Sequence, residues 1–139
     1  MATHLSIVLE AIDMSMLLKF VREGLGRIIL LVDWITRPSR IQRSAEQQAR
    51  VQTDAQKLSL YQHNLCPFCI KTRRTLHQLN VPVEIRELKK ESQFREDLLN
   101  EGGQIKVPCL RIEKEEGVHW MYESKDIIRY LQGRFGVDI

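Results

Sequence analysis

Apolar and polar positions alternate with a helical period over residues 14–36. On a wheel of 100° per residue these positions separate into two opposite stripes. The polar stripe comprises Lys19, Arg22, Glu23, Gly26, Arg27, Asp33 and Arg37. The apolar stripe comprises Leu17, Val21, Leu25, Ile28, Val32 and Ile35. The spacing predicts an amphipathic helix, with Leu30 as an apolar residue on its polar side.

The apolar stripe of this helix needs a covering surface, and three are available: the rest of the chain, a second copy or a lipid headgroup layer. Trp34 near its end favours lipid, and so do the basic residues that follow, as in segments flanking membranes. These are Arg37, Arg40, Arg43 and Arg50. The longest unbroken apolar run is only Ile28 to Val32, which disfavours a spanning helix, since a span needs about 18 apolar residues. Protein packing and membrane-surface binding through residues 14–36 both stay open.

A short polar stretch separates this extension from the rest of the chain. Pro38 and Ser39 end the first helix, and Ser44 is a suitable N-cap for a second, polar helix over 45–57. We therefore predict an extension over residues 1–43 and a linker helix over 44–57.

From residue 58 to residue 139 the periods of strands and helices alternate, which predicts one α/β domain. Strands are predicted at 58–62, 82–88, 108–113 and 118–123, and helices at 67–79, 92–101 and 124–135. The order is β-α-β-α-β-β-α. The opening strand, helix and strand form a right-handed parallel unit, whereas the short turn near Gly117 makes the last two strands antiparallel. The result is a mixed four-stranded sheet flanked by helices.

Composition narrows the functional class. The chain has 139 residues, of which 43% are hydrophobic and 28% charged, as in soluble globular proteins. Its net charge of +3 is too small and too scattered for a nucleic-acid-binding surface. Three cysteines are too few for a secreted disulfide scaffold, and the N-terminus lacks the basic region of a signal peptide. We expect a reducing, cytoplasmic location, with attachment to the cytoplasmic face of a membrane as an option.

Two of the cysteines stand in the stretch YQHNLCPFCIKT, residues 61–72. Cys66 follows a predicted strand and precedes Pro67, a residue that suits the first position of a helix. Cys66 is therefore the expected N-cap, and Cys69 lies one turn inside. The unpaired N–H groups and the positive end of the helix dipole favour the thiolate over the thiol at Cys66. The pattern predicts a nucleophile at Cys66 and a resolving thiol at Cys69.

Metal binding and inert packing are the alternatives for this pair. A zinc site needs two more ligands, but Cys109 and the four histidines have no recognisable zinc-site spacing. Packing alone does not explain a strand before the pair, a proline inside it and a helix after it. We predict no metal and no tightly bound cofactor.

CPFC after a strand, KVPCL about 40 residues later and the ESKDIIRYL helix resemble the glutaredoxins, which have the thioredoxin fold, over residues 58–135. The resemblance implies nucleophilic Cys66, resolving Cys69 and glutathione as co-substrate. It implies a cis proline at Pro108, with the Val107 backbone pairing with the cysteinyl part of glutathione. The implied glutathione-binding residues are His63, Phe68, Lys106, Val107, Pro108, Glu123 and Ser124. Ser124 is also the expected N-cap of the last helix.

Several positions depart from the glutaredoxin pattern. His63 stands where the family usually has a lysine, so its charge depends on pH. Lys106 replaces the threonine before Val-Pro, and MYES replaces the usual Gly-Gly, which resembles the glutathione transferases. Tyr61 and Cys109 are expected in the core, and Phe68 at the rim of the site.

The implied function is a glutathione-linked thiol–disulfide oxidoreductase. Its substrates would be protein–glutathione mixed disulfides or protein disulfides. The alternatives are a dithiol donor fed by thioredoxin reductase, a transferase-like glutathione-binding module, and an iron–sulfur carrier without reductase activity.

Overall fold

The computed structural model describes the backbone of residues 2–136 and the side chains of residues 14–136. Helix α1 spans Ala2–Ile35, so the helix predicted over 14–36 is part of a longer one. The chain forms two compact units, one up to Thr36 and one from Arg37 onward. Among the helices of the described residues, none combines the length and apolar content needed to cross a bilayer.

The second unit has the predicted mixed α/β fold, which is confirmed. Its elements are α2 (Ala45–Ala55), β1 (Leu58–Gln62), α3 (Pro67–Leu79), β2 (Glu84–Glu87), α4 (Ser92–Asn100), β3 (Cys109–Lys114), β4 (Gly117–Met121) and α5 (Ser124–Phe135). The strands form one sheet in the order β2-β1-β3-β4. β1 is parallel to β2 and antiparallel to β3, and β3 is antiparallel to β4.

Strand alternation gives the sheet two buried faces. Leu60 pairs with Leu110 in the register, and the next pair is Tyr61 with Cys109. The leucine pair joins a cluster with apolar residues of α2, α3 and α5. The second pair joins a smaller cluster with Leu98 of α4. Each face is therefore closed by its own helices, and the carboxyl end of β1 leads directly to Cys66.

Helix α2, predicted as a linker, contributes to the larger core. Ser44 caps it as predicted, because its hydroxyl accepts from the Gln47 N–H while the Gln47 side chain accepts from the Ser44 N–H. Ala55 is buried and Val51 packs against the same cluster. Few apolar residues therefore suffice for this helix to pack against the domain.

Several predicted element boundaries differ from the structure by one or two residues, and two differences at β2 and α5 have a physical reason. The second strand was expected over 82–88 but spans only Glu84–Glu87, and Pro82 has no N–H to donate to a ladder. The expected cap at Ser124 was wrong, because Glu123 is the N-cap of α5 and Ser124 is its first residue. The Glu123 side chain makes no capping hydrogen bond.

Candidate active site

The turn between β1 and α3 places Cys66 at the entrance of α3, as the sequence predicts. Cys66 is the N-cap residue, with extended backbone angles (φ −71°, ψ 123°), and Pro67 occupies the first turn. The Cys66 carbonyl accepts the Ile70 N–H at 2.9 Å. No side chain caps the helix at this residue. The half-buried Cys66 therefore lies next to the unpaired first-turn N–H groups at the N-terminus of α3.

Arg73 holds this turn in place from about two helical turns further along α3. Its guanidinium donates to the Asn64 carbonyl at 2.9 Å, to the His63 carbonyl at 3.4 Å and to the Gln62 side chain. A planar guanidinium with several fixed donors suits such a multiple contact. The Arg73 guanidinium therefore fixes the loop that carries Cys66 relative to helix α3.

Cys69 is fully buried one turn inside α3. Burial raises the pKa of this thiol to about 12, and a side-chain hydrogen bond with Cys66 acts in the same direction. The His63 backbone and the charge of Arg73 oppose the increase in pKa. The two cysteines are thus neighbours with different environments, one partly accessible at a helix entrance and one enclosed and protonated. This asymmetry suits a nucleophile and a resolving thiol.

The imidazole of His63, predicted to contact glutathione, makes a contact within the protein. Its Nδ1 lies 3.1 Å from Glu87 Oε1, and the other carboxylate oxygen of Glu87 accepts from Gln62 at 3.1 Å. The end of β2 therefore positions the segment before Cys66. The imidazole remains about one-third exposed, so its other face is open to a ligand.

The loop before β3 carries the next predicted residues. The Val107–Pro108 peptide bond is cis, as predicted, and Pro108 is buried. Lys106 Nζ lies 2.5 Å from Glu123 Oε1, and both side chains are largely exposed. Two predicted glutathione-binding residues are thus brought together from positions 17 residues apart. Such an exposed pair is weak and exchanges readily for a charged ligand.

Tyr122 holds the other end of this loop. Its hydroxyl donates to the Gln104 carbonyl at 3.1 Å, with the Leu98 carbonyl at 3.5 Å. Gly102 allows this close approach, because a Cβ there would lie 2.1 Å from the Tyr122 oxygen and 2.8 Å from the Leu98 carbonyl oxygen. This role of Gly102 was not predicted from the sequence.

We expect Gly102→Ala to destabilise the domain by about 1–3 kcal/mol, because the added methyl group displaces Tyr122 and a backbone carbonyl. Gly133→Ala is the matched control: a Cβ at Gly133 in α5 meets nothing within 4 Å. That variant should gain about 0.5–1 kcal/mol from helix propensity. Urea unfolding measures both changes. Equal effects of the two substitutions would contradict the role assigned to Gly102.

A polar network next to Tyr61 was not predicted. The Tyr61 hydroxyl donates to Asp97 at 3.1 Å and accepts from Arg86 at 2.5 Å, and burial raises the Tyr61 pKa. The Arg86 guanidinium lies over the Tyr61 and Phe94 rings at 5.2 and 5.7 Å from their centroids. The network joins β2 and α4 to the core side of β1.

The remaining predicted positions divide into exposed and buried sites. Phe68 is 62% exposed, consistent with a rim position beside Cys66. Tyr61 and Cys109 are fully buried, as predicted. Burial raises the pKa of the Cys109 thiol to about 12, while a hydrogen bond with Tyr122 lowers it. Cys109 therefore has the properties of a core residue.

One family model matches most of this second unit. It describes the glutathione S-transferase N-terminal domain and covers residues 60–137, more than half of the chain. The chain belongs to this family. This match, together with the glutaredoxin relative described next, confirms the predicted glutaredoxin resemblance.

Relatives of this transferase-type domain include glutaredoxins and complete transferases. Glutaredoxin 2 of Escherichia coli strain K12 is 35% identical over 75 residues, which are 54% of this chain and 32% of that protein. An epsilon-class glutathione S-transferase from housefly is 31% identical, with a TM-score of 0.48, over 59% of this chain and 37% of that one. Oxidized glutaredoxin 2 from Chlamydomonas reinhardtii is 20% identical, with a TM-score of 0.45. The match covers 68% of this chain and 91% of that one. The chain thus spans about one-third of the length of the curated relative.

Proposed function

We propose that the protein is a glutathione-linked thiol–disulfide oxidoreductase of the cytoplasm, with Cys66 as nucleophile and Cys69 as resolving thiol. The observation that carries the proposal is the unequal placement of two neighbouring thiols. Cys66 is half-buried at the entrance of α3, whereas Cys69 is enclosed and its pKa is raised by burial. An accessible attacking sulfur with a second thiol next to it suits thiol–disulfide exchange.

The reaction begins when the Cys66 thiolate attacks the glutathione sulfur of a protein–glutathione disulfide. The protein thiolate leaves and takes a proton, and glutathione becomes disulfide-bonded to Cys66. A second glutathione thiolate then attacks this mixed disulfide and releases glutathione disulfide, which restores the Cys66 thiolate. One glutathione thiol is oxidised for each protein–glutathione disulfide reduced, since the glutathione already in that disulfide becomes the other half of glutathione disulfide, and no further reductant is needed.

Cys69 provides a second route out of the mixed disulfide. Its sulfur hydrogen-bonds with Cys66, so it can attack Cys66, release glutathione and form a Cys66–Cys69 disulfide. Two further glutathione molecules reduce this disulfide. The route also allows the protein to reduce disulfides between two cysteines of a substrate, because the second thiol completes the exchange.

Glutathione is proposed to bind beside the cis proline. The Val107 backbone would pair with its cysteinyl part, and Lys106 would contact a carboxylate when the ion pair with Glu123 opens. The N-terminus of α5 would receive the γ-glutamyl end, because helix N-termini bind carboxylates. Leu65 and Phe68, more than half exposed on either side of Cys66, would contact the protein part of a substrate.

The proposal is tested by exposing the reduced protein to glutathione disulfide and mapping the adduct by mass spectrometry. In Cys69→Ser, which lacks the resolving thiol, we expect one glutathione on Cys66 and none on Cys109. In the parent we expect the Cys66–Cys69 disulfide instead. The same preparation should reduce a glutathionylated peptide when it is supplied with glutathione, glutathione reductase and NADPH. A protein that binds glutathione but turns nothing over would instead be a transferase-like binding module. An iron–sulfur chromophore after anaerobic purification, together with absence of turnover, would identify a carrier.

Lys106→Gln should raise the KM for glutathione about five- to tenfold, because one charge-assisted contact to a carboxylate is lost. The turnover number should change little, since Lys106 does not contact the reacting sulfur in this proposal. Steady-state kinetics with varied glutathione measures both values. Lys114→Gln, at the exposed end of β3, controls for the loss of a positive charge elsewhere. An unchanged KM would remove Lys106 from the glutathione site.

A further inference from the structure

Helix α1 carries a continuous apolar face that is exposed over the part with described side chains. The members of this face that recur every three to four residues are between 52% and 66% exposed: Leu17, Val21, Leu25, Ile28, Val32 and Ile35. Leaving six such side chains exposed to water is unfavourable relative to burying them. This stretch therefore calls for a partner that covers its length.

The width of the apolar face distinguishes a flat partner from a second helix. On a wheel of 100° per residue, apolar positions between Met14 and Ile35 occupy about half of the circumference. Two helices that wind around each other bury a narrower seam, about two residues in seven. The edge of a lipid acyl layer covers half of a helix that lies parallel to it. The width of the face fits a bilayer surface better than a helix partner.

The charges next to this face identify the kind of bilayer. Residues 14–35 of α1 contain three basic and two acidic residues, and of the acidic ones Asp33 is buried. Lys19, Arg22 and Arg27 are exposed within the helix itself. Cations beside an apolar face are attracted by the surface potential of anionic lipids. Trp34, 67% exposed near the end of α1, is of the type that lies at the headgroup level.

We propose that α1 binds an anionic phospholipid surface, lying parallel to it with the Leu17–Ile35 face among the acyl chains and Lys19, Arg22 and Arg27 at the headgroups. This surface is separate from the proposed thiol chemistry. This binding would hold the domain that begins at Arg37 next to the membrane and does not require a membrane span.

Flotation of the full-length protein with vesicles tests the proposal without an activity readout. We expect the protein to float with phosphatidylcholine–phosphatidylserine vesicles and to remain largely unbound with phosphatidylcholine alone. Replacement of Lys19, Arg22 and Arg27 by glutamine should weaken binding about fivefold for each cation, or about a hundredfold in total. High salt should weaken binding of the parent in the same direction. Equal binding to both kinds of vesicle, or to neither, would overturn the proposal.

Two asparagine substitutions, two residues apart, test the orientation of the helix. Ile28→Asn lies on the apolar face and should reduce vesicle binding about tenfold or more, because an amide must enter the acyl layer. Leu30→Asn lies on the polar side, costs at least as much helix propensity, and should change binding less than about threefold. Thermal unfolding confirms that both variants keep the folded domain. Equal loss of binding in the two variants would contradict the proposed orientation.

Light scattering without lipid examines the competing partner, a second copy of the chain. We expect the parent and Ile28→Asn to have the same mass in dilute solution. A parent dimer that Ile28→Asn dissociates, together with no flotation of either protein, would identify the face as a self-association surface and overturn the membrane proposal.

Discussion

Cys66→Ser should abolish glutathione-dependent reduction of a glutathionylated peptide, leaving only the uncatalysed exchange rate. A serine hydroxyl stays protonated at neutral pH and does not form a mixed disulfide with glutathione, so no step of the proposed cycle is possible. Cys69→Ser should keep this activity within about tenfold of the parent, because a second glutathione can clear the adduct from Cys66 directly. The assay couples glutathione disulfide formation to NADPH oxidation by glutathione reductase.

A second substrate separates the roles of the two thiols further. With a peptide that contains an internal disulfide, Cys69→Ser should lose most of its activity, because the resolving thiol completes that exchange. Cys109→Ala controls for the loss of a cysteine outside the site, since Cys109 is buried against Tyr122, and it should retain activity with both substrates. Full activity of Cys66→Ser with either substrate would eliminate the proposed mechanism.

Local sequence signals predicted the framework of the site well. The strand at 58–62 and the helix at 67–79 have the predicted boundaries. Pro67 and the apolar periods fix them, and both depend on neighbouring residues only. The same signals predicted Cys66 as N-cap. Residues that are close in sequence therefore determined where the nucleophile stands.

Contacts between residues that are far apart in the sequence were not predicted. Glu87 binds the His63 imidazole across 24 positions, and Arg86 reaches the Tyr61 hydroxyl across 25. Both contacts follow from the parallel register of β1 with β2, in which Tyr61 pairs with Arg86 and Gln62 with Glu87. A parallel pair of strands was predicted, but its register was not, and a one-residue slip would exchange the faces of these side chains.

The cap of α5 shows a similar limit at short range. Ser124 is a better N-cap residue than Glu123 by propensity, yet the helix begins at Ser124 itself. Glu123 is left with its carboxylate beside Lys106. The ion pair links the loop that contains Lys106 to the start of α5, and only the folded structure reveals that the two segments meet.

Raising the pH from 8 to 10 should destabilise the reduced protein by about 3 kcal/mol. Burial raises the pKa values of Cys69 and Cys109 from 9.0 to about 12. The folded protein therefore keeps two protons that the unfolded chain releases above pH 9. Because the unfolded state binds fewer protons than the folded state, the free energy of unfolding decreases as the pH rises. The decrease is about 1.4 kcal/mol per thiol at pH 10. Urea unfolding at pH 8, 9 and 10 measures the change.

Cys109→Val isolates one of the two contributions. Lysine and tyrosine side chains also titrate in this range, but they are common to both proteins. Tyr122, the hydrogen-bond partner of Cys109, has a pKa that burial raises to about 12, so the difference between parent and variant up to pH 10 reports chiefly on the one thiol. The Cys109 thiol makes its full contribution to the free energy of unfolding below pH 9, and this contribution is lost as the pH rises towards 12. Between pH 8 and pH 10 the variant should therefore lose about 1.4 kcal/mol less than the parent. The same pH dependence in both proteins would mean that the Cys109 thiol ionises in the folded state, contrary to its burial beside Tyr122.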